Sequence, residues 1–334
     1  MTARRLAICL ISAFWLTACG PQRSTELDPK FDMQAMAREV TAIVEAAKPA
    51  EVTVAFMDLE NAEVWSHYGD TPVPMQDLAV LPLAAAVLAE VDEGRLSLDE
   101  VVVIQETDLS PQPSAVATAW PDQDRYTIAD LLPRAVRHSD NTAADLLMKR
   151  IGGPGAVTAW LTARRVRGVR VDRYQREIQM EMAGLPSFRS AWKDEAPFAE
   201  APEPQRRAAL TAFLADVRDS ATAHGLIDFL SRLEAGELVS PASRELLLEL
   251  MEESQSGAGR IAAGLPRGAR LAHRAGTARP DLGLVPVVSD AGVITTRRGR
   301  RFAIAVLMRG CRGAPADCER TLARTTRALI AAAG

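Results

Sequence analysis

The feature that most constrains the fold is an almost wholly apolar segment at residues 78–91, which runs LAVLPLAAAVLAEV and carries one charged side chain, Glu90. A helix on a protein surface keeps a polar face, so a helix with almost none must be enclosed on all sides. The segment is too short to cross a bilayer. It therefore predicts a buried central helix, and the rest of the chain must supply the elements that surround it.

Periodicity along the chain places strands near both ends and helices between them. Strands are predicted at 51–59, 62–68, 269–274, 286–295 and 301–308. Helices are predicted at 33–47, 128–138, 142–151, 156–164, 205–216, 225–233, 242–253 and 316–333. This order predicts an α/β (α+β) sandwich: an antiparallel sheet built from both chain ends, flanked by the terminal helices, with an all-helical lobe inserted. We expect a sheet lobe at 33–72 and 262–334 and a helical lobe at 73–261.

The N-terminus has the pattern of a lipoprotein signal peptide. Two arginines precede a short apolar run, and Leu16-Thr17-Ala18-Cys19 follows. The pattern predicts cleavage after residue 18, a lipid on Cys19, a polar tether over 19–32 and a place in a bacterial cell envelope, facing the periplasm or the outer surface. An ordinary signal peptide with an incidental cysteine is the alternative.

Charge and metal-ligand patterns limit the possible partners. The net charge of -4 argues against nucleic acid. The four histidines show no spacing typical of a metal site, and no cofactor is indicated. In an oxidising compartment Cys311 and Cys318 are a disulfide candidate, with two free thiols as the alternative.

Five segments together resemble one family. They are Pro74-Met75-Gln76 with the helix that follows, Leu109-Ser110-Pro111, HSDNTAADLL, GLPRGARLAHRAGTA and SDAGVITTRRGRRFAIAVLMRG. In that order they resemble a class A β-lactamase, in particular the subgroup with a histidine before the basic motif residue. The resemblance covers nearly all of the mature chain. It implies a β-lactamase/transpeptidase-like fold, hydrolysis of a cyclic amide and a role in antibiotic resistance.

The resemblance implies a serine nucleophile at the start of the buried helix and a lysine three residues later. This spacing puts both on one helical face, where the lysine can reach the hydroxyl. Here Asp77 and Val80 occupy those positions. The sequence therefore predicts that this reaction is lost while the helix is kept.

The family also uses a loop glutamate as the base that activates a water. The lead-in from Val171 to Tyr174 puts Gln175 at that position, with Gln179 at the partner amide. Glutamine orients a water but cannot take its proton. If the alignment shifts, Glu177 or Glu181 takes the position instead.

The remaining motif residues predict a ligand pocket. Its candidates are Ser139, Asn141, Arg274, Ala275, Gly276 and Thr277. Arg274 keeps the positive charge that receives a substrate carboxylate in the family, Ala275 loses a hydroxyl, and Gly276 permits close approach of an edge strand to a ligand.

The altered charges suggest an ion pair between Asp77 and Arg274, hydrogen-bonded by Ser139 and Asn141, in which Asp77 would repel an anionic β-lactam. Possible replacement nucleophiles are Ser139, Asp77 itself and Ser190 of the literal Ser190-x-x-Lys193, which lies outside the expected context.

Two functions therefore compete. One is a pseudoenzyme: a lipid-anchored envelope protein whose residual pocket binds a β-lactam, a cell-wall peptide or a protein partner. The other is an active β-lactamase or cell-wall peptidase with an unrecognised nucleophile.

Overall fold

The computed structural model describes residues 30–196 and 198–334. The predicted signal peptide, Cys19 and the tether up to residue 29 lie outside the described residues. Within those two ranges, no helix is both long enough and apolar enough to cross a membrane.

The longer strands lie near the two ends of the described chain, and most of the helices lie between them. The strands are β1 Glu51–Asp58, β2 Val64–His67, β3 Val73–Pro74, β4 Val101–Val103, β5 Arg125–Thr127, β6 Ser220–Ala221, β7 Arg270–Thr277, β8 Leu284–Thr295 and β9 Arg301–Arg312. The helices are α1 Met33–Ala46, α2 Val80–Asp92, α3 Ala115–Ala119, α4 Ile128–His138, α5 Asn141–Arg150, α6 Pro154–Ala163, α7 Gln175–Ala183, α8 Glu203–Ala215, α9 Ala223–Glu234, α10 Pro241–Glu252, α11 Ile261–Gly264 and α12 Pro315–Ala332.

One antiparallel sheet joins the two ends of the chain, in the order β2-β1-β9-β8-β7. Its central strands β8 and β9 are buried almost throughout because both faces of the sheet are covered. Val54 and Phe56 face one core shared with α1 and α12, while Ala55 and Leu307 face the core of the helices between the strands. The predicted mixed fold with a sheet from both chain ends is confirmed. A disulfide between Cys311 and Cys318 ties the end of β9 to α12.

Helix α2 lies at the centre of the helical part and contacts α4, α5, α6 and α10. Every residue from Val80 to Ala89 is buried. The predicted enclosure of the apolar segment is therefore confirmed. The chain enters this helix through a 3-10 turn over Gln76–Ala79, so Asp77 lies in the turn and not in the α-helix itself.

The main difference from the predicted elements lies between residues 165 and 204, where no helix is expected. Helix α7 forms there, although it is short and mostly polar. Its first turn is closed by a capping box in which Glu177 accepts a hydrogen bond from the Tyr174 amide. Helix α8 also begins earlier than expected, inside a Pro-rich stretch, because prolines fit the first turn of a helix.

Residues 173–196 and 198–218, which we call the cap segment, leave the helical part and return to it at a neck formed by Asp172, Arg173 and Asp219. The Asp172 amide donates to Asp219 Oδ1 (2.7 Å), the Asp219 amide donates to Asp172 Oδ2 (3.0 Å), and Arg173 Nε donates to Asp219 Oδ2 (2.6 Å). A small cluster then fixes the segment beside the end of β7: Ile178, Met182, Leu210 and Phe213 against Ala278 and Val287. The neck and this cluster together place α7 next to the candidate site.

Candidate functional site

The candidate site lies where the 3-10 turn, the loop between α4 and α5, and strand β7 meet at the sheet edge. Arg274 of β7 connects the three. Its Nε donates to the Asp77 carbonyl (3.3 Å), its Nη1 to the Val136 carbonyl (3.0 Å) and to Ser256 Oγ (3.4 Å), and its Nη2 to Ser139 Oγ (2.9 Å). The side chain is completely buried. Its donors are thus directed at protein acceptors.

The carboxylate of Asp77 faces this guanidinium at longer range. Its Oδ2 lies 3.9 Å from Arg274 Nη2, and its side chain remains 22% exposed while that of Arg274 is 0% exposed. The contact is an ion pair without a hydrogen bond. Burial raises the pKa of Asp77, and the positive charges of Arg274 and Arg260 oppose that rise. Burial likewise lowers the pKa of Arg274, against the effect of Asp77.

Asn141 takes no part in this pair. Its Nδ2 donates to the Pro111 carbonyl (2.8 Å), and the side chain is buried. The expectation that Ser139 and Asn141 both hydrogen-bond the pair is therefore wrong for Asn141. Ser139 does contact Arg274, because it ends α4 in the left-handed conformation, with φ of +58°, and this turns its hydroxyl toward β7.

A second non-glycine residue with positive φ lies beside Asp77. Gln76 has φ of +51°, and its Nε2 contacts Met182 Sδ of the cap segment at 3.8 Å. This conformation is costly for a residue with a Cβ, and it persists only where packing fixes it. The turn that presents residue 77 is thus held in a strained form between the cap segment and α2.

Strand β7 approaches the turn very closely at Gly276. A Cβ at this position would lie 2.3 Å from the Met75 carbonyl oxygen. The space that glycine leaves is filled by the protein's own backbone, which corrects the expectation that Gly276 makes room for a ligand. Ala275 is buried, whereas Thr277 is exposed at the end of the strand.

Arg260 is a site residue that the sequence did not reveal. It is buried, and its Nη1 donates to the carbonyls of Gly276 (3.1 Å) and Ser289 (2.9 Å). Its Nη2 donates to Thr277 Oγ1 (2.6 Å). Arg260 therefore holds the end of β7 and the Thr277 hydroxyl. No motif marks it, because the contact spans a loop and a strand that are distant in the chain.

Val80 lies one helical turn beyond Asp77 and is 3% exposed in the apolar core around α2. An aliphatic side chain accepts no proton. The position where the resemblance requires a lysine thus supplies packing alone.

The structure places Gln175 at the first position of α7, beside Asp145 of α5. Its backbone N–H donates to Asp145 Oδ1 (2.6 Å), and its Oε1 is buried without a partner among the described residues. Asp145 Oδ2 accepts from Ser110 Oγ (2.7 Å) and from the Arg176 amide (3.1 Å). Burial raises the pKa of Asp145 to about 6. The sequence did not single out this carboxyl group.

The alternative bases at the loop are engaged elsewhere. Glu177 caps α7 through the Tyr174 amide, and Glu181 pairs with Arg173 and Arg218. Gln179 lies half-buried on α7.

The literal Ser-x-x-Lys pattern does not form a pair either. Ser190 donates to Glu106, and Lys193 Nζ lies 3.0 Å from Asp194 Oδ2. The serine hydroxyl therefore contacts a carboxylate and not the lysine amine, which is paired with a different residue. Over the described ranges, no group of three or more histidine, cysteine or acidic side chains is placed to hold a metal ion.

Comparisons with known proteins agree on one family. The model of the β-lactamase enzyme family matches residues 35–333. β-Lactamase VEB-1 of Pseudomonas aeruginosa is 24% identical over 306 residues, which cover 91% of this chain and 89% of that protein. A β-lactamase of Mycobacterium tuberculosis is 30% identical over 227 residues, 68% of this chain and 62% of that protein. The crystal structure of a β-lactamase from Chitinophaga pinensis superposes with a TM-score of 0.74 at 27% identity, covering 90% of this chain and 99% of that one. The match to the family model spans the turn, α5, the cap segment and β7, so the chain belongs to the β-lactamase enzyme family.

Proposed function

We propose that this chain is a catalytically silent member of the β-lactamase family, anchored by lipid in the bacterial envelope. Its candidate site at Asp77, Ser139, Arg274 and Thr277, which we call the cleft, binds a ligand without hydrolysing it. The observation that carries the proposal is the pair of side chains at the head of the buried helix. Asp77 presents a carboxylate in place of a hydroxyl, and Val80 presents no base. Removal of a nucleophile leaves only the rate that binding and oxyanion groups supply.

The other groups that a hydrolase needs are also changed. Gln175 cannot accept a proton from a water. Ser139, the serine of the Ser139-Asp140-Asn141 motif, accepts a hydrogen bond from Arg274, and an arginine is a poor proton acceptor. Among the described residues, we find no contact through which a base would activate the Ser139 hydroxyl.

Intact-mass spectrometry tests the silent site. The purified full chain is incubated with a cephalosporin, and no covalent adduct is expected. In the Asp77→Ser/Val80→Lys variant, a serine and a base are restored, so we expect an acyl adduct that persists because Gln175 cannot activate water. Adding Gln175→Glu should convert that adduct into turnover.

Val80→Lys alone is the matched control and should give no adduct, and thermal unfolding shows whether each variant is folded. An adduct on the parent that disappears in Ser139→Ala or Asp77→Ala would overturn the proposal. Such an adduct would identify the alternative, an enzyme with a displaced nucleophile.

The envelope part of the proposal depends on the N-terminal sequence. The relatives come from bacteria, and a lipid on Cys19 would hold the domain at a membrane by way of residues 20–32. Metabolic labelling with a fatty acid in a bacterial host should label the parent and leave Cys19→Ser unlabelled. Equal labelling of the parent and Cys19→Ser would show that Cys19 does not carry the lipid.

A further inference from the structure

Solvent reaches a carboxylate and two hydroxyls at the cleft, and these groups indicate the class of ligand that would bind there. We infer that the cleft selects a small ligand that carries an ammonium group close to a carbonyl or carboxylate oxygen, with Asp77 binding the ammonium. This inference rests on the proposed function, a cleft that binds without hydrolysis. It reverses the charge preference that the family resemblance implies.

The positive charge of the cleft is not available to a ligand. Arg274 is completely buried, and its guanidinium already donates to two backbone carbonyls and to the hydroxyls of Ser139 and Ser256. Four of the five N–H groups of Arg274 already donate within the protein. Because none of the side chain is exposed, a ligand carboxylate cannot reach the guanidinium unless this part of the site opens. The cleft therefore does not offer Arg274 to an anion.

The negative charge is available. Among the described residues, no hydrogen bond to either carboxylate oxygen of Asp77 is seen, and the contact of Asp77 Oδ2 with Arg274 Nη2 is 3.9 Å long. The side chain is 22% exposed, so a ligand can reach it. A carboxylate that has lost part of its hydration and lacks hydrogen-bond donors gains from an ammonium group, which brings three donors and a positive charge.

Two hydroxyls of the cleft keep a hydrogen that they can donate. Ser139 Oγ accepts from Arg274, and Thr277 Oγ1 at the end of β7 accepts from Arg260. Because arginine only donates, neither contact uses the hydroxyl hydrogen. Both hydroxyls can therefore donate to an oxygen of a ligand.

One small molecule can meet these groups together. Asp77 Oδ2 and Ser139 Oγ both lie within 3.9 Å of the same nitrogen, Arg274 Nη2. The complementary ligand places an ammonium against Asp77 and an oxygen against Ser139 or Thr277. The free amino end of a short peptide has this arrangement.

Binding of three forms of one dipeptide tests the inference. The probes are D-alanyl-D-alanine with both ends free, its N-acetyl form, which is an anion, and its C-terminal amide, which is a cation. Titration of the purified full chain by calorimetry or ligand-observed NMR gives the three affinities. We expect the two forms with an ammonium to bind at least about tenfold more tightly than the N-acetyl form, since charge-assisted hydrogen bonds are the strong ones.

Two variants assign the effect to the cleft. Asp77→Asn keeps the shape but removes the charge, and should weaken binding of the amide by about tenfold or more. Thr277→Val should weaken the form with two free ends and leave its preference for an ammonium intact. Glu203→Gln, the same chemical change on the exposed face of α8, is the control and should alter neither affinity.

Three results would overturn the inference. The N-acetyl form could bind as tightly as the amide, or a folded Asp77→Asn variant could bind the amide with unchanged affinity. The third is that none of the three forms binds at millimolar concentration. The proposed function fails separately. Cephalosporin turnover by the parent would refute silence whatever the dipeptides do, whereas selective ammonium binding without turnover supports both.

Discussion

The buried carboxyl group of Asp145 links three parts of the molecule beside the site. It accepts hydrogen bonds from Ser110 and from the first two amides of α7, and it is 2% exposed. Burial raises its pKa to about 6, whereas an aspartate in an unfolded chain has a pKa of about 3.9. The stability contributed by this group is therefore fully present below about pH 4, and it is lost as the pH rises through 6.

This shift predicts a pH-dependent difference between the parent and Asp145→Asn. From pH 4 to pH 7.5 the free energy of unfolding of the parent should fall relative to that of the variant by up to about 3 kcal/mol, from about 1.4 kcal/mol per pKa unit. Urea unfolding of both proteins at several pH values measures it. Hydrogen bonds that asparagine cannot make change the free energy of unfolding of the variant by the same amount at each pH. The test is therefore how the difference in free energy between parent and variant changes with pH. A flat difference, or one of opposite sign, would contradict the pKa shift.

At the residue scale, the sequence predicts which functional groups are present better than it predicts which of them a ligand can reach. That Asp77 and Val80 stand where the resemblance requires a serine and a lysine follows from the sequence alone. That Arg274 donates to its own protein could not be predicted, because its acceptors come from the turn, the end of α4 and residue 256. Arg260 and Asp145 were missed for the same reason, since no local pattern marks a contact between distant segments.

At the element scale, the ion pairs at the neck of the cap segment centre on Arg173, which pairs with the buried Asp219 and also with Glu181 and Asp216. Arg173 is 5% exposed and Asp219 is 2% exposed, and the two are 2.6 Å apart. Removing one partner of a buried pair leaves a charge without compensation.

Arg173→Met should therefore lower the free energy of unfolding by about 3 kcal/mol and make the cap segment the first site of limited proteolysis. Arg207→Met removes the exposed pair with Glu203 and should cost less than about 0.5 kcal/mol. Urea unfolding and mass mapping of the cleavage sites give both values. Equal effects of the two variants would show that the neck is held by its backbone contacts alone.

The approach of β7 to the turn predicts a further pair of variants. Gly276→Ala would put a methyl group 2.3 Å from the Met75 carbonyl, so β7 or the turn must move, at a cost of about 1–3 kcal/mol. Gly155→Ala places its methyl group in open space near the start of α6, and should stabilise the protein by up to about 1 kcal/mol. Thermal unfolding of both checks the opposite signs. Stabilisation by Gly276→Ala would refute the close approach.

Elements with a clear apolar period could be predicted from the sequence, and α7 could not. The paired strands and the helices such as α4 and α12 follow the predicted spans because each buries a regular stripe. In α7 the buried positions include Gln175, and its stability comes from a capping box and from contacts with α8. A pattern search scores such a segment as a loop.

At the scale of the whole molecule, the fold requires neither a serine at residue 77 nor a lysine at residue 80. The sheet joins both chain ends, and α2 is enclosed by helices whether or not residue 77 is a nucleophile. Asp77 suits the positive end of a helix, and Val80 suits a core. This explains why a chain of this family can keep the complete architecture and a strained turn at Gln76 after the serine and lysine are gone.

Single-turnover hydrolysis of a chromogenic cephalosporin, with the purified full chain in excess over the substrate, tests the central claim most directly. We expect a rate equal to that of buffer, and the same rate for Asp77→Asn and Ser139→Ala. A faster rate that survives repeated purification and is abolished by either substitution would mean that the cleft retains a working nucleophile, and that this member of the family is an enzyme.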